Sequence, residues 1–162
     1  MSGEQNKRII PSVGRQAVFH AYGEIGKSAI RRFAQVIDDT NPLYWDEQYA
    51  KNSAYGGIIA PPTLIFELGY DCGDEIDKGD GLQQGITEWL GYPKDIQRVG
   101  NEYEILRVAR PSDIVTAKRE VTDVRERETR RGKMVFITSV ASFTNQEGEL
   151  LGTNKETVAC SY

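Results

Sequence analysis

Between Ala34 and Thr63 the chain reads AQVIDDTNPLYWDEQYAKNSAYGGIIAPPT, and the residues best suited to chemistry lie here. Asp39 is a carboxylate that could activate water or move a proton. It leads into the turn-forming run Asn41-Pro42-Leu43, and Tyr44 follows at the place where such a set wants a base. Tyrosine ionises near pH ~10 and is a poor base at neutral pH. The chain has a single histidine, His20, so a histidine base must be that one or come from another chain. Two cysteines, Cys72 and Cys160, make neither a disulfide framework nor a zinc site by themselves.

The elements that must hold these residues follow from spacing. RQAVFHAYGEIG, ending in glycines, predicts an opening strand that carries His20. From a Ser28 cap, SAIRRFAQVIDD has helical period, with Ile30, Phe33, Ala34 and Ile37 on one stripe. TNP stops that helix, because proline disfavours a helical residue before it. A short helix over DEQYAKN follows, and Pro61-Pro62 open a mostly apolar helix through Leu64, Ile65, Leu68 and Cys72, in which Gly69 allows close packing. The stretch 74–93, rich in glycine and weak in periodicity, predicts a long excursion at a pocket rim. NEYEILRVAR, DIVTAKREVTDVRER, GKMVFITSVASFTN and ELLGTNKETVACSY then read as four strands. RPSD, ETRRGK and NQEGE separate them, and three strands in hairpin order suggest an antiparallel meander.

The 162 residues fit one domain over 1–162 with no repeats. A net charge of -4 gives no electrostatic case for nucleic acid or an anionic membrane. No run is long enough to cross a bilayer, MSGEQNKRII has no apolar signal core, and the expected setting is the reducing cytoplasm.

The order DDTNPLYWD, YGGIIAPPT, GNEYEILRVARPSDIVTAKREVTDV and SFTNQEGELLGTNKET resembles the MaoC-like (R)-specific enoyl-CoA hydratase and 3-hydroxyacyl dehydratase family. Within it, the likeness is to the N-terminal-type, fatty-acid-synthase-like dehydratase branch, and it runs from about Phe33 to Val158. The resemblance implies an α+β hot-dog fold, a long antiparallel sheet wrapped around a central apolar helix. It also implies hydration of 2-enoyl thioesters, or the reverse reaction, with no cofactor and no metal. In the family motif D-x-N-P-L-H an aspartate and a histidine activate one water, and a glycine amide in a later His-Gly pair polarises the thioester carbonyl. Here Asp39 takes the aspartate position and Asn41-Pro42-Leu43 match. Tyr44 replaces the histidine, and Pro61-Pro62 replace His-Gly, so Pro62 brings no amide hydrogen.

Each candidate has two readings. Asp39 is either a catalytic acid or the residue that closes a helix and sets a turn. Tyr44 either donates a hydrogen bond to thioester or water, or packs with its hydroxyl at a rim. Asn41, Gly56, Gly57, Pro62, Thr63 and Trp89 are the substrate-binding candidates. The glycine pair could admit a pantetheine arm or serve a turn at positive φ. Thr63 could stand in for the lost glycine amide. Arg125 to Arg131 could meet coenzyme phosphates or stay solvated.

The reading adopted is a half-site subunit that shapes an acyl-thioester tunnel while a partner chain supplies histidine and oxyanion hole. Its substrate would be an acyl-CoA or acyl-carrier-protein thioester. Its partner would be a second MaoC-like chain, and otherwise the assembly is a homodimer or dimer of dimers. The alternatives are a stand-alone thioesterase or altered-mechanism hydratase using Asp39, and a non-catalytic acyl-CoA binder.

Overall fold

A computed structural model of the chain describes residues 9–21, 23–68, 89–91 and 93–162. Five strands form one antiparallel sheet: β1 Gln16–His20, β2 Asp95–Ile105, β3 Thr116–Thr129, β4 Gly132–Thr144 and β5 Leu150–Ser161, in spatial order β1-β3-β4-β5-β2. The expected meander is β3-β4-β5. β2 does not join it in chain order, but crosses to pair with β5 at the far edge.

The sheet buries one face. In β4, Val135, Ile137, Ser139, Ala141 and Phe143 are buried in strict alternation, the period of a strand with one dry side. Helix α3, Leu64–Leu68, lies on that face with Leu64, Ile65 and Phe66 buried. Phe66 meets the edge of Phe143 at 5.0 Å and the ring of Tyr103 at 4.5 Å. This close approach depends on Gly152 of β5. A Cβ there would stand 2.7 Å from the Glu104 carbonyl oxygen and 3.2 Å from Ile65 Cδ1.

Two other helices lead to the motif. Helix α1 is Lys27–Val36 and α2 is Glu47–Asn52, with a 3-10 turn at Pro42–Tyr44 between them. The expected Ser28 cap is replaced by Gly26, whose carbonyl takes the amides of Ala29 and Ile30, so the first turn starts earlier. The stop is also not the proline. Asp38 takes the left-handed conformation at φ 55, and the Asp39 amide reaches back to Ala34 O at 2.8 Å. The Asp38 amide bonds Gln35 O, and together these form a Schellman closure with aspartate where glycine is usual. On the stripe, Ile30 and Ala34 are buried, Phe33 is half-buried, and Ile37 is exposed.

The strand read at NEYEILRVAR lies earlier, because β2 begins at Asp95 and ends at Ile105. There the amides of Leu106 and Arg107 both turn onto Leu151 O and the chain leaves the sheet. Of the expected excursion over 74–93, only 89–91 and Pro93 are among the described residues, and Gly69 and Cys72 lie outside them. No described helix is long and apolar enough to cross a membrane.

Candidate functional site

The motif is built by consecutive side-chain turns. Asp39 Oδ1 accepts the Asn41 amide at 3.0 Å, and Asn41 Oδ1 accepts the Leu43 amide at 3.1 Å. Asn41 thereby caps the 3-10 turn, with Pro42 in the first position, where its missing N–H costs nothing. The turn carries Tyr44 inward, where it is buried, and leaves Trp45 half-exposed with its indole N–H directed to Thr40 O at 3.5 Å. Asp46 caps α2 by accepting the Tyr49 amide at 2.9 Å.

Asp39, Asn41 and Tyr44 therefore converge. Burial pushes the Tyr44 hydroxyl above its ordinary ionisation, and Asp39 raises it further, as a negative charge and as a hydrogen-bond acceptor. Tyr55 adds to the rise, and only Asn41, through a hydrogen bond, opposes it. A tyrosine so held keeps its proton at neutral pH. It can donate a hydrogen bond but cannot act as a base.

A cleft of about 380 Å³ opens beside this turn, lined by Arg31, Ala34, Gln35, Asp38, Asp39, Thr40 and Trp45. Asp39 is thus shared between the turn and an open space. Tyr55 brings the next loop alongside. Its carbonyl accepts Arg110 Nη2 at 2.9 Å, and Gly56 takes φ 69 in the turn after Ser53. Gly56 is exposed and Gly57 half-buried, and a Cβ at either would meet nothing within 4 Å. A positive φ, rather than close approach, is what asks for glycine at 56.

The Ile59 amide bonds Leu43 O at 3.3 Å and the Ala60 amide bonds Ala109 O at 2.8 Å, which ties the segment before the prolines to the motif and to the chain beyond β2. Pro61 is fully buried, and its carbonyl receives the Leu64 amide at 2.9 Å. Pro62 is half-buried, and Thr63 is exposed with its carbonyl receiving the Phe66 amide at 3.1 Å.

Trp89 stands apart from this group. It is buried, its ring lies 5.4 Å from the Arg119 guanidinium, and its indole N–H finds no acceptor among the described residues. His20 is exposed on β1, bonded to Thr116 Oγ1 at 3.1 Å, and does not line the Asp39 cleft. In the basic run, Arg125 pairs with Asp123 at 2.8 Å, Arg127 lies over the Phe136 ring, and Lys133 pairs with Glu126. These are solvated hairpin charges with local partners. Among the described residues no three of His, Cys, Asp and Glu gather as a metal site.

Sequence reasoning missed a second polar group. Arg119 donates to Glu156 at 2.7 Å and to Ser139 at 3.3 Å on the interior face of the sheet, and Arg98 reaches the other Glu156 oxygen at 2.5 Å. The signal was present: Arg119 has the parity of Ala117 and Val121, and Glu156 that of Val158 and Cys160.

Residues 12–154 match the family model of the FAS1-like, dehydratase domain region. The chain belongs to the MaoC-like dehydratase family, in this FAS1-like branch. The likeness to a probable enoyl-CoA hydratase alpha subunit from Thermomonospora curvata is 27% identity over 96% of this chain, which spans 51% of that relative. A UPF0336 protein of Streptomyces avermitilis is 38% identical over 77% of this chain and 88% of its own. The fold matches a MaoC-like dehydratase from Rhodospirillum rubrum with TM-score 0.69, 21% identity and 93% of each chain covered. It matches equally, at 0.69 and 21% identity over 90% of this chain and 83% of the other, a chain of the ChsH1-ChsH2 complex from Mycobacterium tuberculosis. The sheet around α3 is the hot-dog fold of these neighbours.

Proposed function

We propose that this chain is the half-site subunit of a MaoC-type enoyl-thioester hydratase or 3-hydroxyacyl-thioester dehydratase. It shapes the acyl-thioester site, and a second MaoC-like chain supplies the base and the oxyanion donor. One observation carries the reading: Tyr44 holds its proton in the place where the family motif has a histidine. Pro62 supports it, since the family's oxyanion donor is a backbone amide and proline has none. Likeness to a relative described as an alpha subunit, and to a chain solved within a two-protein complex, agrees with a divided enzyme. In this reading Asn41, Gly56, Gly57, Pro62 and Thr63 form the wall this chain contributes, Trp89 serves the substrate site from its separate buried position, and the setting is cytoplasmic.

The test is hydration of a short 2-enoyl-CoA by the purified chain, with Asp39→Asn beside it. The expected result is no turnover by either, and turnover once a second MaoC-like chain with an intact Asp-His pair is added. Turnover by the chain alone that Asp39→Asn abolishes would overturn the proposal.

A second reading has one observation in its favour, the open cleft that Asp39 lines. A carboxylate facing a cleft can activate water for thioester hydrolysis in a homodimer. Release of free CoA from acyl-CoA by the chain alone, lost in Asp39→Asn, would establish it.

A further inference from the structure

A cavity of about 250 Å³ opens where the chain leaves β2, beside the turn that joins β4 to β5. Val108 and Leu151 floor it, and Arg107, Arg110, Asn145 and Glu149 wall it. Among the described residues it shares no lining side chain with the Asp39 cleft. Two guanidiniums at one small cavity suit a group with several acceptor oxygens, because each offers a fork of N–H donors.

The walls are set in advance by local bonds. The Arg110 amide bonds Asp113 Oδ2 at 2.8 Å, and the Asp113 amide bonds Arg110 O at 3.1 Å, which closes a tight turn. Ile25 clamps that turn: its carbonyl accepts the Ser112 amide at 2.9 Å and its amide donates to Asp113 O at 2.8 Å. Across the cavity, Asn145 Oδ1 accepts the Glu149 amide at 2.9 Å, and Asn145 Nδ2 donates to Glu149 Oε2 at 3.1 Å. Both carboxylates are thus partly occupied by their own turns. Glu149 also meets Arg107 at 3.2 Å, but these side chains are 48% and 60% exposed, and such a pair contributes little. A doubly charged oxyanion competes well for that guanidinium.

Arg110 joins the cavity to the motif. Its Nη2 donates to the Tyr55 carbonyl at 2.9 Å, and a bond to a neutral carbonyl does not cancel the guanidinium charge. Tyr55 directly precedes Gly56 and Gly57, the pair suited to a pantetheine arm. An arm with its phosphate between Arg107 and Arg110 therefore has the glycine loop next to it. The basic run Arg125 to Arg131 is placed differently. It lies at the far end of β3, roughly 40 Å from Thr116 by strand rise.

We propose that this cavity binds a phosphate group of the thioester's carrier, with Arg107 and Arg110 as its donors. Coenzyme A and the phosphopantetheine arm of a carrier protein share that chemistry. The site rests on the thioester reading above and extends it to the carrier's phosphate.

The experiment is calorimetric titration of the purified chain with coenzyme A, 4′-phosphopantetheine and pantetheine. Coenzyme A is expected to bind at least about tenfold more tightly than pantetheine. Arg107→Gln and Arg110→Gln should each weaken coenzyme A about tenfold, with urea midpoints checking that both variants fold. Glu149→Gln keeps the Asn145 turn but releases Arg107, and should tighten coenzyme A about twofold to fivefold. A purely structural role for these residues would give no such gain. Phosphopantetheine that matches coenzyme A supports the site and assigns it the phosphate that a carrier protein also presents. Phosphopantetheine that binds only as well as pantetheine supports the site and assigns it the nucleotide end of coenzyme A. Absence of coenzyme A binding, equal binding of pantetheine, unchanged affinity in either folded arginine variant, or no gain in Glu149→Gln would overturn the proposal. Those results would leave the half-site reading standing, whereas turnover by the chain alone would remove that reading and leave the phosphate site.

Discussion

Arg119 and Glu156 meet at 2.7 Å inside the sheet, on β3 and β5 with Ser139 of β4 between them, and each side chain is only 6% exposed. Taking two charges from water is costly, so the pair survives by geometry: Glu156 receives Arg119 on one oxygen and Arg98 on the other. Glu156→Gln leaves Arg119 buried beside a neutral partner. It is expected to lower stability by about 3–5 kcal/mol, read from urea midpoints at pH 7.

The same pair sets an acid limit. Burial pushes the Glu156 carboxyl up, but Arg119 and then Arg98 overcome it, and the group ends below its ordinary value of 4.5. With the folded value depressed, its stabilisation is present above about pH 4.5 and disappears as pH falls through the folded value. Urea midpoints taken from pH 6 downward should fall for the wild type in that window. In Glu156→Gln this component of the slope should be absent.

Tyr44 and Asp39 give an alkaline counterpart. Burial and Asp39 raise the Tyr44 ionisation above its ordinary 10.0, so the stabilisation from its neutral form holds below pH 10 and is lost as pH rises through the folded value. Asp39→Asn keeps an oxygen for the Asn41 amide and should change stability by no more than about 0.5 kcal/mol. It removes the charge, so Tyr44 should ionise at lower pH in the variant, yet still above 10.0 because burial is the larger cause. Phenolate absorbance, differenced against Tyr44→Phe to remove the other tyrosines, reads this directly.

Gly152→Ala tests the seat of α3. The new Cβ would stand 2.7 Å from a backbone oxygen, Glu104 O, which cannot rotate away as a side-chain end could. A loss of about 1–3 kcal/mol is expected from thermal or urea unfolding, as for other overpacked sites. A change below about 0.5 kcal/mol would mean that β2 and β5 separate easily, contrary to a tight sheet.

Asp38→Gly should stabilise. Asp38 holds φ 55 at the end of α1, where an L side chain is strained and glycine is not. A gain of about 0.5–1 kcal/mol in urea unfolding is expected, with α1 otherwise unchanged.

Much of this protein was determined by local sequence. The apolar period from Ile30 to Ala34, the turns at Asn41-Pro42, Thr129–Gly132 and Asn145–Glu149, and the alternation of β4 depend on residues within a few positions of one another. Such interactions can be read without knowing the fold. The exchange of histidine for Tyr44 and of glycine for Pro62 was equally plain, because a missing chemical group is a property of the residue. Tertiary structure decided the rest. Whether Asp39 turns toward its own backbone or toward a cleft depends on how α1 closes, and it does both. β2 was read too late in the chain because its pairing with β5 joins residues more than forty positions apart, at a cost in chain entropy that no local pattern records. The burial of Trp89, and the meeting of Arg119 with Glu156, follow from the same cause: three strands must be in register before a charge on one finds its partner on another.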